Sequence, residues 1–167
     1  EAVRMLKNKV IFIDDEEAIL SSIVRVFRRA EYEVVTTTQP DEVFRLIQQE
    51  PIALVVSDQR MPNMDGDALL KRCKELAPDT VRIMLTGYAD IQAAMRAVNE
   101  GSIFRFLTKP WKEDELKSAI DLALKQYKLI QDNRRLVVLT VNQNKELKKL
   151  SSVLEERVKE RTEEITK

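Results

Sequence analysis

The chain has 167 residues, with 28 Lys and Arg set against 28 Asp and Glu, no histidine and a single cysteine, Cys73. That inventory leaves no Cys₂His₂ or Cys₄ zinc site, no Ser-His-Asp or Cys-His nucleophilic pair and no phosphohistidine, so any chemistry must run on carboxylates, hydroxyls and lysine. A lone cysteine suits a reducing, cytoplasmic setting, and no stretch approaches the roughly 20 apolar residues of a membrane span. The opening Glu1-Ala2-Val3-Arg4 is not expected to be a signal peptide, because the apolar run near residue 10 is short and acids follow it at once. Hydrophobic residues make up 44% of the chain, enough for a core, while 34% charged residues and only three glycines point to a long solvated element beside one domain. Charge divides the same way: residues 125–167 carry eleven basic and seven acidic side chains, leaving seventeen and twenty-one in residues 1–124.

After a leader over residues 1–8, strands and helices alternate. Val10-Ile11-Phe12-Ile13 is a continuous apolar run ending in Asp14-Asp15, the pattern of a strand buried on both faces of a parallel sheet. Ile19, Ile23, Val26 and Phe27 then recur at helical spacing up to Ala30. Val34 to Thr37 reads as a strand and Val43 to Ile47, after Pro40-Asp41, as a helix. Ala53 to Val56 is another buried strand ending at Ser57-Asp58, with Pro62, Asn63 and Gly66 forming a loop behind it. Leu69, Leu70 and Leu76 mark a third helix closed before Pro78, and Val81 to Leu85 is a strand ending at Thr86-Gly87. Ile91, Ala94, Met95 and Val98 form a fourth helix stopped by Gly101, and Ile103 to Leu107 a fifth strand ending at Thr108-Lys109-Pro110. Five such units predict a parallel sheet with helices on both faces, and ligands in such sheets bind beyond the carboxyl ends of the strands.

Those ends carry Asp14, Asp15, Asp58, Thr86 and Lys109. Three carboxylates gathered at one rim repel one another and favour a hard divalent cation, Mg²⁺, Mn²⁺ or Ca²⁺, of which magnesium in particular sits on a few carboxylates while keeping waters and phosphate oxygens. With a phosphoryl group completing the shell, Asp58 can serve as nucleophile and form an acyl phosphate, Lys109 can pair with a phosphoryl oxygen, and Thr86 can donate from its hydroxyl. An Asp-Asp pair at a strand end would by itself serve as a helix cap; its conjunction with Asp58, Thr86 and Lys109 favours the chemical reading.

Asp14-Asp15, the run Ser57-Asp58-Gln59-Arg60-Met61-Pro62-Asn63-Met64-Asp65-Gly66, Leu85-Thr86-Gly87 and Phe106-Leu107-Thr108-Lys109-Pro110 together resemble the receiver domain of two-component response regulators over residues 9–124. The resemblance implies a flavodoxin-like, doubly wound five-stranded sheet in the order 2-1-3-4-5, with no enzymatic activity beyond self-phosphorylation and autodephosphorylation. It implies phosphorylation of Asp58 from a histidine kinase or histidine phosphotransfer protein. It also implies Mg²⁺ held by Asp15, Asp58 and the backbone carbonyl of Arg60 with help from Asp14, a switch made of Thr86 and Phe106, and a cis Lys109–Pro110 bond. Cys73 reads as packing.

From Trp111 onward there is no glycine or proline, so one helix beginning near Glu113 is expected to run to the end of the chain. Leu116, Ile120, Ala123, Tyr127 and Ile130 form one stripe; Leu122, Leu129, Leu136, Gln143 and Leu150, joined by Leu147 and Leu154, form a heptad stripe. A parallel homodimer through residues 125–167 is the economical partner for that second stripe. The segment from Lys145 to Ile165 is similar to signalling helices that join receivers to output modules, and with no output module after it the chain is expected to be either part of a longer protein or one whose output is its own dimer. Two other functions fit these residues less well. A phosphatase working through an aspartyl phosphate would carry an acid placed for leaving-group protonation, where Gln59-Arg60 stand instead. Nucleic-acid binding by the basic tail is not expected without interleaved aromatics or a helix-turn-helix.

Overall fold

The computed structural model describes residues 7–166; of the expected leader over residues 1–8, residues 1–6 lie outside the described part, as does residue 167. The chain divides into two units, residues 1–128 and residues 129–167.

In the first unit the strands are β1 (Lys9–Ile13), β2 (Glu33–Thr37), β3 (Leu54–Asp58), β4 (Val81–Thr86) and β5 (Arg105–Thr108). Between them lie α1 (Glu17–Val26), α2 (Pro40–Gln49), α3 (Gly66–Leu76) and α4 (Ile91–Asn99), followed by α5 (Glu113–Ile165). The strands pair in parallel in the order β2-β1-β3-β4-β5, the doubly wound, flavodoxin-like sheet expected. Burial explains the sequence pattern. β3 and β4 are buried at every position and β1 from Val10 onward, so they are apolar throughout, whereas β2 and β5 lie at the edges and keep Glu33 and Arg105 exposed.

Alternate residues of β1 serve the two faces. Ile11 and Ile13 join Val43, Ile47, Val55, Leu69, Leu70, Cys73, Met84, Ala94 and Ala97 in one layer beneath α2, α3 and α4. Phe12 instead stacks on Phe27 with ring centroids 5.7 Å apart, and Phe27 meets Tyr32 at 6.0 Å. Leu116, Ala119, Ile120 and Ala123 of α5 are buried as well. Each large side chain so enclosed contributes about 1.5–3 kcal/mol.

Several local expectations differ from the structure, α2 among them: it begins at Pro40 rather than after Pro40-Asp41, because proline suits the first turn of a helix. The first helix stops at Val26 rather than Ala30: Phe27 leaves helical geometry at φ −100°, ψ 15°, yet its ring still reaches the core, so apolar spacing outlasts the helix. Gly66 begins α3 instead of lying in the loop before it. The fifth strand starts at Arg105, not Ile103, because Ile103 is buried in the turn after α4 and Phe104 makes a single ladder-like bond, its N–H to Arg82 O at 2.8 Å.

In the second unit, the helical residues 129–165 are almost uniformly exposed, with Leu129, Leu136, Leu147, Leu150 and Leu154 each about three-fifths exposed.

Candidate functional site

Because β1 lies between β2 and β3, with Ile13 opposite Ser57, the residues just past β1 and at the end of β3 arrive side by side. Asp14, Asp15 and Asp58 each offer a carboxylate oxygen, and these oxygens lie within 4.8 Å of one another. Asp14 is buried and divides its oxygens: Oδ1 accepts the Glu16 N–H at 2.9 Å, while Oδ2, also buried, has no hydrogen-bond partner. One oxygen thus ties the turn ahead of α1 while the other joins the acidic cluster; α1 has Glu16 at its N-cap and no side-chain cap hydrogen bond, so the Asp14-Asp15 pair does not cap it. Burial pushes its carboxyl up to about 6, against the Glu16 N–H, and the Asp58 carboxylate adds to the rise.

Lys109 supplies the opposing charge. Its Nζ lies 2.7 Å from Asp58 Oδ1 and 3.7 Å from Asp14 Oδ2. Burial acts to lower its pKa, but the hydrogen bond to Asp58 and the surrounding carboxylates outweigh that and raise it, so the ammonium stays charged. The backbone aims it. Lys109 N–H donates to Thr86 O at 2.8 Å. The Lys109–Pro110 peptide is cis, as expected.

Asp58 is held with equal care. Its Oδ1 also accepts the Gln59 N–H at 2.9 Å, and its carbonyl accepts the Ser57 hydroxyl at 2.9 Å. Behind it, Gly66 N–H donates to Gln59 O at 2.8 Å, and a Cβ on Gly66 would run onto the Asp58 carbonyl oxygen and lie 3.0 Å from its carbon. A glycine is therefore what lets α3 begin against the acid's own backbone. The buried Gln59 completes that corner, its Oε1 accepting the Asp67 N–H at 2.9 Å in the first turn of α3.

The structure brings Asp14, Asp15, Asp58 and Lys109 together. Thr86 is buried at the adjoining strand end, with its hydroxyl turned to Gly87 O at 3.3 Å. Phe106 is partly buried and packs against the layer under α2, α3 and α4. The guanidinium of Arg60 is paired with Asp90. Cys73 is buried, and that burial pushes its thiol up to about 12, in keeping with packing. The contributions of Gly66, Gln59 and Asp90 escape a reading of the sequence; the one available signal was a glycine directly ahead of the apolar helix spacing of Leu69 and Leu70.

The family model of the response regulator receiver domain matches residues 10–121. Over 148 residues, 89% of the chain, it is 30% identical to the hydrogenase transcriptional regulatory protein HoxA of Bradyrhizobium diazoefficiens, and covers 30% of that protein. Thus the chain spans under a third of the length of such curated relatives. Among solved structures it is similar to the adenylate cyclase from Rhodopirellula baltica, at 34% identity and TM-score 0.76 over 79% of this chain and 98% of that one. It is also similar to a response regulator receiver domain protein from Clostridium thermocellum, at 33% identity and TM-score 0.69 over 74% and 98% of the two chains.

Proposed function

The chain belongs to the response regulator receiver domain family of two-component systems, and we propose that Asp58 is its phosphoacceptor, loaded from a phosphohistidine on a histidine kinase or histidine phosphotransfer protein. The carrying observation is the meeting of three carboxylates with one ammonium, Lys109 Nζ standing 2.7 Å from Asp58 Oδ1. The donor set suits magnesium: all-oxygen ligands of like charge, with Asp14 Oδ2 buried and lacking a hydrogen-bond partner. Asp14, Asp15, Asp58 and the backbone carbonyl of Arg60 would hold it, and the bound ion would neutralise negative charge on the transferring group. Asp58 would attack phosphorus through its other oxygen, Oδ2, because Oδ1 is engaged by the Gln59 N–H and Lys109. The phosphorus–nitrogen bond to the donor imidazole would break as the phosphorus–oxygen bond to Asp58 forms, and the ring nitrogen would keep the electron pair. Lys109 would follow the growing charge, and the Thr86 hydroxyl would exchange Gly87 O for a phosphoryl oxygen, drawing the segment after β4 inward with Phe106 following.

The second element of the proposal is transmission through α5. Leu147, Leu150, Leu154 and Val158 line one exposed groove, and the heptad from Leu122 to Leu150 supports a parallel two-stranded pairing with a second copy. Residues 9–124 would then act as the receiver and residues 125–167 as the helix that carries its state to an output module. No helix among the described residues is long and apolar enough to cross a membrane.

Incubation with acetyl phosphate and Mg²⁺ tests the acceptor. Mass spectrometry is expected to find one phosphoryl group on the wild type and none on Asp58→Asn or in the presence of a chelator. An adduct that survives Asp58→Asn, or no adduct on the wild type, would overturn the reading.

A further inference from the structure

The loop behind Asp58 and the segment behind Thr86 are tied together by one contact on the surface. Arg60 reaches Asp90 through one edge of its fork, Nε donating to Oδ2 at 2.7 Å and a terminal nitrogen to Oδ1 at 3.2 Å. Asp90 closes the 3₁₀ segment Tyr88–Asp90 that links β4 to α4, its own N–H bonded to Gly87 O at 3.1 Å. A cavity of about 530 Å³ opens beside this pair, lined by Asp15, Gln59, Arg60, Met61, Asp65 and Asp90 among others. Arg60 is the sole cation among its described lining residues, and Lys109, the cation inside the cluster, is already committed to Asp58 and Asp14.

We propose that Arg60 is a second anion-binding residue of the acceptor site, held in reserve by Asp90: its guanidinium exchanges the Asp90 carboxylate for the oxygens of a phosphoryl group on Asp58, and the exchange releases the segment Tyr88–Asp90. The inference rests on the reading of Asp58 as acceptor. No covalent bond to Arg60 is made or broken; one hydrogen-bonded ion pair replaces another. The direction of exchange follows from charge. The Arg60 side chain is 74% exposed where it meets Asp90, and exposed pairs hold weakly. A phosphoryl group carries about −1.5 to −2 and three acceptor oxygens, a better match for a planar fork than one carboxylate. Arg60 sits two residues after Asp58, on a long unbranched side chain, and lines the same cavity as Asp15 of the cluster. Since the same pair anchors the segment beyond Thr86, occupancy of Asp58 and freedom of the α4 entrance become reciprocal.

The test is calorimetric titration with beryllofluoride, a phosphoryl mimic, in Mg²⁺ buffer, alongside amide exchange at residues 88–91. Arg60→Gln is expected to weaken binding by about tenfold, the worth of one charge-assisted hydrogen-bonded contact. Asp90→Asn, by removing the competitor, is expected to tighten it by about two- to fivefold. Arg60→Lys, with charge but no fork, should fall between wild type and Arg60→Gln. Exchange at residues 88–91 should rise on binding in the wild type and be high from the start in both Arg60→Gln and Asp90→Asn. A merely structural pair would give Arg60→Gln and Asp90→Asn effects of the same sign on affinity; that result, or an Arg60→Gln affinity equal to wild type, overturns the proposal while leaving Asp58 as acceptor. Failure of the wild type to bind, or undiminished binding by Asp58→Asn, removes the acceptor reading and this inference with it.

Discussion

Replacing Asp14 by asparagine removes a charge that the fold holds at a cost. Burial lifts the Asp14 carboxyl from 3.8 to about 6. A carboxyl with a higher pKa in the folded chain than in the unfolded one binds its proton more tightly when folded. Its contribution to stability is therefore complete below 3.8 and lost as the pH climbs through about 6. At about 1.4 kcal/mol per unit, the loss amounts to about 3 kcal/mol. The favourable pull of Lys109 is already contained in that shift. Asparagine keeps an oxygen for the Glu16 N–H, which Asp14 Oδ1 accepts at 2.9 Å, and has no proton to lose. Urea denaturation in chelator-treated buffers across this range checks it, read as the difference between the two proteins so that other titrating groups cancel. The expectation is parity near the lower end and an Asp14→Asn advantage growing towards about 3 kcal/mol above the upper one. Adding Mg²⁺ should narrow or reverse that advantage, because an ion that binds only the folded wild type stabilises it. A difference that stays flat across the whole range in the absence of metal would refute the reasoning, since the burial of Asp14 would then carry no electrostatic cost.

Gly66→Ala should destabilise the protein by about 1–3 kcal/mol in denaturant titrations and slow phosphoryl loading, because the new methyl meets backbone rather than a side chain that can swing aside. Arg82→Met should cost about 1–3 kcal/mol in thermal unfolding. Buried Arg82 spans Ser102 O and Thr80 O, each at 2.7 Å, and methionine leaves both carbonyls without that donor. Leu150→Glu, between Leu147 and Leu154 in the exposed apolar groove, should weaken self-association by at least about a hundredfold in sedimentation equilibrium, with receiver stability unchanged. An unaltered association constant would reject the α5 seam.

Strand identity was legible along the chain wherever both faces of a strand are buried. Val10 to Ile13 and Ala53 to Val56 are apolar without alternation, and β1 and β3 lie where those runs predict. The polar residues that end such runs could likewise be named as a group, since a parallel sheet sends successive strand ends to one rim. Local spacing reached no further than local geometry. It carried the first helix past Val26, because Phe27 faces the core from a turn as readily as from a helix, and it read Gly66 as loop when the residue opens α3. What tertiary structure alone decided is proximity. Placing β1 next to β3 set Asp14 beside Asp58, the Lys109 N–H bond to Thr86 O aimed an ammonium between them, and the turn into α4 brought Asp90 within 2.7 Å of Arg60. Side-chain periodicity records which face of an element is apolar; the distance between two charges depends on strand order, register and the close backbone contact at Gly66, which are properties of the assembled sheet.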